Sequence, residues 1–225
     1  MLLFSEAATD MRQMSWMGSA IDRDSVRTFA PFSPIFHEGD STAEFFEIVQ
    51  GVARSYKIFP DGRRQIIAFA FPGDIVGFGH GSTYRFDCDV IEKTHVKVIP
   101  RSSLLLAMRN RPELSEKLLD MAAEAVAGMQ DHSILLCRKS AIERIASFLL
   151  RMASRQSAPV VGKRLSLPMC RVDIADFLGL TIETVSRSLT KMRTMRVIDL
   201  PYRGGFVIRD LVKLLLLAES EIGSA

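Results

Sequence analysis

Between residues 30 and 100 the apolar positions come in short runs cut by glycine, with Gly39, Gly51, Gly62 and Gly73 recurring every eleven or twelve residues. The runs are Phe45-Phe46-Glu47-Ile48-Val49, Val52-Ala53-Arg54-Ser55-Tyr56-Lys57-Ile58 and Gln65-Ile66-Ile67-Ala68-Phe69-Ala70-Phe71. In the second, Val52, Tyr56 and Ile58 partly alternate with polar neighbours, as in a half-buried strand. Asp61-Gly62 signals a hairpin turn, because glycine takes a positive φ at little cost. Short strands at regular spacing predict a β-barrel or β-roll. No glycine-rich loop of the P-loop or dinucleotide type interrupts them.

The pattern changes over residues 101–137. Pro112 suits the first position of a helix, where its missing N–H costs nothing, and residues 113–137 contain no further proline and only Gly128. This predicts a helix of roughly 25 residues. Leu114, Met121, Gly128 and Leu135 share one heptad position and Leu118, Ala125 and His132 a neighbouring one, a stripe suited to a dimer seam. A register through Ala122, Met129 and Leu136 fits nearly as well. Ser140-Ala141-Ile142-Glu143 is a capping box that opens another helix, whose apolar stripe runs through Ile142, Ile145, Ala146, Leu149 and Met152. Arg138-Lys139, just before it, reads as a hinge and domain boundary. Residues 154–162 read as a loop and Arg164-Leu165-Ser166-Leu167 as a short strand.

Residues 172–178 form a short amphipathic helix that Gly179 ends. Thr181 is a good N-cap for the next helix, which runs to about Arg193. Its Val185, Leu189 and Met192 share an inner face, and Glu183, Ser186, Arg187, Thr190 and Lys191 lie outside. Two short helices, a glycine-containing turn and a polar outer face make a helix-turn-helix, whose second helix fits the major groove of double-stranded DNA. Arg187 suits guanine O6 and N7, Glu183 suits cytosine N4, and Ser186 suits a base or a thymine methyl. Thr181, Thr190 and Lys191 suit phosphates. Residues 197–200 and 206–208 predict the strands of a wing, with Arg203 at its tip near a phosphate. Residues 211–217 predict a closing helix.

Charge sharpens this picture. Residues 1–137 hold 14 Lys/Arg against 18 Asp/Glu, and residues 138–225 hold 15 against 8. A basic C-terminal part suits a polyanion. No apolar run reaches the ~20 residues that cross a bilayer, and residues 1–20 lack a signal-peptide pattern, so a cytoplasmic protein without a membrane partner is expected. Three cysteines, Cys88, Cys137 and Cys170, predict neither a disulfide framework nor a zinc site. Cys88 and Cys137 have apolar neighbours and read as core residues. Cys170 precedes the first reading helix, where Arg171 and the helix N-terminus favour thiolate. It is a redox candidate, and a capping residue otherwise. No nucleophile–base pair, carboxylate dyad or metal spacing suggests an enzyme.

From about Phe32 to Ile208 the chain resembles the CRP/FNR superfamily. Leu180-Thr181-Ile182-Glu183-Thr184-Val185-Ser186-Arg187 is similar to that family's recognition helix, with Ser186 as in the FNR-like branch. Pro60-Asp61-Gly62-Arg63-Arg64-Gln65, Gly73-Asp74-Ile75-Val76-Gly77-Phe78, Ala141-Ile142-Glu143-Arg144-Ile145-Ala146 and Leu165-Ser166-Leu167-Pro168-Met169 resemble FixK-type regulators. The resemblance implies an α+β chain: a cyclic-nucleotide-binding-like β-roll in residues 1–110, a long dimerisation helix in 111–138, and a winged helix-turn-helix in 139–225. It implies a homodimer that activates microaerobic, nitrogen-fixation or denitrification genes through RNA polymerase, from an inverted repeat with half-sites like TTGAT.

Departures from the family bear on ligands. Where cyclic-nucleotide members carry Gly-Glu and Arg-Ser pairs, this chain has Gly77-Phe78 and Phe86-Asp87, which would place a carboxylate against a phosphate. Three cysteines, none before Cys88, cannot supply the four thiolates of an iron–sulfur cluster. No cofactor is expected. The alternative is a regulator that takes a small ligand in the roll, or a haem on His37, His80, His95 or His132.

Overall fold

The computed structural model describes residues 26–79, 81–156, 158–201 and 204–219. By packing, the chain divides into one unit within Asp10–Ala127 and another within Gly128–Ala225. In the first, the glycine-punctuated runs become eight strands: β1 (Val26–Phe29), β2 (Pro34–Phe36), β3 (Glu44–Gln50), β4 (Ala53–Ile58), β5 (Arg64–Ala70), β6 (Ile75–Val76), β7 (Asp87–Val90) and β8 (Thr94–Pro100). They pair as two four-stranded antiparallel sheets, in the orders β1-β8-β3-β6 and β2-β7-β4-β5. Alternate residues of both sheets, including Phe46, Ile48, Ala53, Cys88, Val96 and Val98, form one shared core. Asp61-Gly62 makes the β4–β5 turn as expected, with Gly62 at φ 82°. Gly51, at φ 92°, has no substitute, because a β-carbon there would lie 2.8 Å from the Thr94 α-carbon.

Arg54 and Asp89 form a buried ion pair beside this core, with Nε and Nη2 donating to the two carboxylate oxygens at 2.7 and 2.9 Å. The guanidinium also faces the rings of Phe32 and Tyr56, 5.9 Å from each centroid. On the far side of β3 and β8 a second cluster joins Phe45, Ile99 and Leu104. Leu104 belongs to α1 (Arg101–Asn110), a helix absent from the sequence reading.

Pro112 opens α2 (Pro112–Arg138) as expected. The division between the units falls inside this helix, at Ala127 and Gly128. The positions of the expected seam are partly engaged within the chain. Leu114 is buried and Leu118 packs on the Phe45 cluster. A β-carbon at Gly128 would come within 3.2 Å of Arg151, and the His132 ring stacks on Phe177 at 4.2 Å. Met121 and Leu135 are half-buried, and only Ala125 is exposed. That face is largely occupied by the chain's own packing. Roughly a quarter turn away runs an exposed apolar stripe of Leu119, Ala122, Val126 and Met129. Glu113, Asp120, Glu124 and Asp131 take the remaining face.

The second unit is built on α3 (Ala141–Gln156), which buries Ile145, Ala146, Phe148, Leu149, Leu150, Met152 and Ala153. Around it pack β9 (Arg164–Ser166), α4 (Arg171–Leu178), α5 (Ile182–Thr194), β10 (Ile198–Asp199), β11 (Gly205–Ile208) and α6 (Leu211–Glu219). The three strands pair in the order β10-β11-β9. Among the described residues no helix is long and apolar enough to cross a membrane.

Candidate nucleic-acid interface

The two helices α4 and α5 are held at a defined angle by local sequence. The carboxylate of Asp173, itself buried, accepts from the backbone N–H of Cys170 at 3.3 Å and closes the start of α4. Gly179 ends the helix in the left-handed region at φ 61°, and its N–H returns to the Ala175 carbonyl. Thr181 then caps α5, its hydroxyl accepting from Thr184 N–H at 3.2 Å. Val185, Leu189 and Met192 anchor α5 in the core, each at most 3% exposed. At its far end Arg196 takes φ 56°, and Val197 N–H closes on the Met192 carbonyl at 3.0 Å. This is a Schellman turn with arginine in place of the usual glycine.

The structure brings the expected base-reading residues together on the outside of α5. Glu183 and Arg187 are exposed, Ser186 is half-buried, and Thr190 and Lys191 are exposed. Ser186, Arg187, Thr190 and Lys191 line one open, shallow surface. Thr194, the last residue of α5, and Met195 extend it, the helix ending within a residue of where the sequence placed its end. The spacing of Thr194 four residues after Thr190 was the available signal. Glu183 is held below the ordinary carboxylate range by its own backbone N–H, then by the Thr181 hydroxyl and the charge of Arg187. It is therefore ionised near the helix N-terminus and suited to accept a proton donor. The Thr181 hydroxyl accepts the cap bond and lies 3.0 Å from the Thr184 hydroxyl. Arg203 lies outside the described residues, as does His80. The wing strands β10 and β11 pair through Ile198–Ile208 and Asp199–Val207.

Cys88 lies where expected, and Cys137 and Cys170 differ from their expected settings. Cys88 is a core residue whose thiol burial pushes up to about 12. Cys137 is exposed on α2 and is not a core residue. Cys170 is exposed too, but its thiol donates to the Asp173 carboxylate at 3.1 Å. The charged group it touches is thus an anion, where the sequence had suggested Arg171.

At the positions that hold a nucleotide in the resembling family, Phe78 packs on the Phe45 ring at 5.2 Å. Asp87 Oδ1 accepts from Glu38 N–H at 3.2 Å and lies 3.1 Å from His37 Nδ1. His95 Nδ1 is bonded to the Thr28 hydroxyl at 3.0 Å. His132 sits on Phe177, away from the exposed stripe of α2.

Residues 26–111 match the cyclic nucleotide-binding domain family and residues 143–217 the Crp-like helix-turn-helix domain family. The transcriptional activatory protein AadR of Rhodopseudomonas palustris is 42% identical over 171 residues, covering 76% of this chain and 72% of that protein. The nitrogen fixation regulation protein FixK of Bradyrhizobium diazoefficiens is 36% identical over 212 residues, covering 94% of this chain and 86% of that one. The solved structure of FixK2 from Bradyrhizobium japonicum superposes with a TM-score of 0.80 at 36% identity, over 89% of this chain and 98% of that one. With both domains in order and relatives aligned over most of its length, the chain belongs to the CRP/FNR family of transcription regulators and is of FixK type.

Proposed function

We propose that this FixK-type regulator is a homodimeric activator that reads an inverted repeat of the TTGAT-N4-ATCAA type. The observation that carries the reading is the outer face of α5: Glu183, Ser186, Arg187, Thr190 and Lys191 point one way while Val185, Leu189 and Met192 are locked in the core. Arg187 donates two N–H groups of one guanidinium edge to guanine O6 and N7, Glu183 accepts from a cytosine, and Ser186 contacts the neighbouring base. Thr181, Thr190, Lys191 and Arg203 hold phosphates. Two copies pair along Leu119, Ala122, Val126 and Met129 of α2, so that half-sites lie about one helical turn apart. The reading assigns residues 1–110 to a sensory-type roll, 111–138 to the dimer helix and 139–225 to DNA binding. In the cytoplasm the protein activates microaerobic, nitrogen-fixation or denitrification genes through RNA polymerase; the relatives' names support this as far as calling AadR a transcriptional activatory protein and FixK a nitrogen fixation regulation protein.

The test is binding of purified, ligand-free protein to a TTGAT-N4-ATCAA duplex and a scrambled duplex at fixed salt. Selective binding of at least about 10³-fold is expected for a specific regulator. Equal binding to both duplexes refutes the assignment of α5 as the base reader.

A further inference from the structure

Lys139 and Ser140 join α2 to α3, and from sequence Arg138-Lys139 reads as a hinge. The structure fills it with hydrogen bonds. Arg144, one turn into α3, donates from Nε to the Lys139 carbonyl at 2.9 Å and from Nη2 to the Leu136 carbonyl at 2.8 Å. Its Nη1 donates to the Leu178 carbonyl at 2.9 Å, with the Gly179 carbonyl 3.5 Å away. One guanidinium therefore satisfies carbonyls at the C-terminal ends of both α2 and α4, where helix dipoles favour a cation. Leu178 and Gly179 open the turn that delivers α5. The joint is pinned from other sides as well. Ser140 N–H donates to Glu143 Oε2 at 2.9 Å, and Lys139 Nζ donates to Ser147 Oγ and to the Ala218 carbonyl, both at 2.8 Å.

We infer that Arg144 is a positioning residue for DNA recognition: it fixes the direction of α5 against the end of α2 and so sets which half-site spacing the dimer accepts. This rests on the inverted-repeat reading proposed above. All of its acceptors are main-chain carbonyls of its own chain, and it lies outside the open surface of α5. A planar fork is the side chain that serves carbonyls arriving from two helices at once. The single ammonium of lysine does not present that fork.

The experiment uses the full-length protein and duplexes carrying two TTGAT half-sites separated by about three to six base pairs, beside a duplex with one half-site. Wild type, Arg144→Met and Arg144→Lys are titrated by fluorescence anisotropy, with thermal unfolding and dimer mass measured in parallel. The expected result for Arg144→Met is a roughly tenfold or greater loss on the preferred spacer. Its ratio between preferred and neighbouring spacers falls toward one, while single half-site affinity and dimer mass are kept. Arg144→Lys falls in the same direction, and decides the question if Arg144→Met does not fold. An unchanged spacer ratio overturns the inference. So does an equal loss on the single half-site and every spacer, which is what mere destabilisation produces. Absence of spacer preference in the wild type overturns the inverted-repeat reading itself, a result that the wild-type arm reports separately.

Discussion

The exposed stripe on α2 makes the dimer testable with one charge. Val126 is 54% exposed and Met129 59% exposed on a surface flanked by Leu119. Fully burying a valine contributes about 1.5 kcal/mol or more, and roughly half of Val126 is already covered, so about 1 kcal/mol remains for each copy. A two-fold interface counts every residue twice, giving about 2 kcal/mol. Val126→Asp forfeits that and desolvates two carboxylates, adding at least about 1 kcal/mol per ion. The total of about 4 kcal/mol weakens the dimer roughly a thousandfold. Ala125→Asp places the same charge one residue earlier, about 100° around the helix, on the face the sequence reading had chosen. It is expected to change the dimer constant by less than about tenfold. Sedimentation velocity across a dilution series measures both, with circular dichroism to show that the exposed substitutions leave the fold intact. A monomeric Ala125→Asp beside a dimeric Val126→Asp would refute the stripe.

Three further outcomes are expected. Arg187→Ala costs about 1–3 kcal/mol on the specific duplex and relaxes preference at one base position, whereas Lys191→Ala weakens all sequences alike and lowers the salt slope by about one; anisotropy titrations that show the same loss for both on every duplex remove these roles. Asp89→Ala removes the carboxylate paired with the buried Arg54 and destabilises the roll by about 3–5 kcal/mol in urea unfolding; a change under about 1 kcal/mol means the pair is solvated. His132 is held below its ordinary 6.5 by burial and then by the charge of Arg151. The unfolded chain therefore takes up the proton first, so stability is full above that value and declines as pH falls toward the lower folded value. Melting curves from pH 7.5 to 5.5 should fall more steeply for wild type than for His132→Phe, and parallel slopes would mean the histidine is not linked to folding.

The helix-turn-helix was legible because its signals are local. Gly179 and Thr181 are backbone requirements, and Val185, Leu189 and Met192 mark the only face that α5 can bury. The roll was legible in outline from its glycine spacing, since positions such as Gly51 and Gly62 need a positive φ. Where two signals competed, the sequence could not choose. Helix α2 carries two adjacent apolar stripes, one occupied within the chain and one exposed, and a heptad count sees both without saying which is taken. Helix α1 follows Pro100, has no side-chain cap, and buries only the first of three consecutive leucines. Its amphipathic signal is accordingly weak. Cys137 follows Leu135 and Leu136, yet the helical turn carries it outward. Cys170 adjoins Arg171 in sequence but Asp173 in space.

Arg144 shows why the remainder of the site escaped notice. In sequence it is a polar residue between Ile142 and Ile145, indistinguishable from a solvated arginine on an amphipathic helix. Its significance comes from three backbone segments that meet only in the fold, the ends of α2 and α4 and the joint at Lys139. Base-reading side chains confer specificity only when their supporting elements are rigid. Here β9, α5 and α6 all pack on α3, so α5 and the wing strands belong to one body. An arginine on α3 that also bonds the Leu136 carbonyl ties the end of α2 to that body. In the dimer proposed above, Glu183, Ser186 and Arg187 would read the sequence of each half-site, and the distance between half-sites would be set by residues that touch no DNA. Substitutions in the two groups should therefore separate: the first changes which bases are preferred at a constant spacing, and the second changes the spacing at constant base preference.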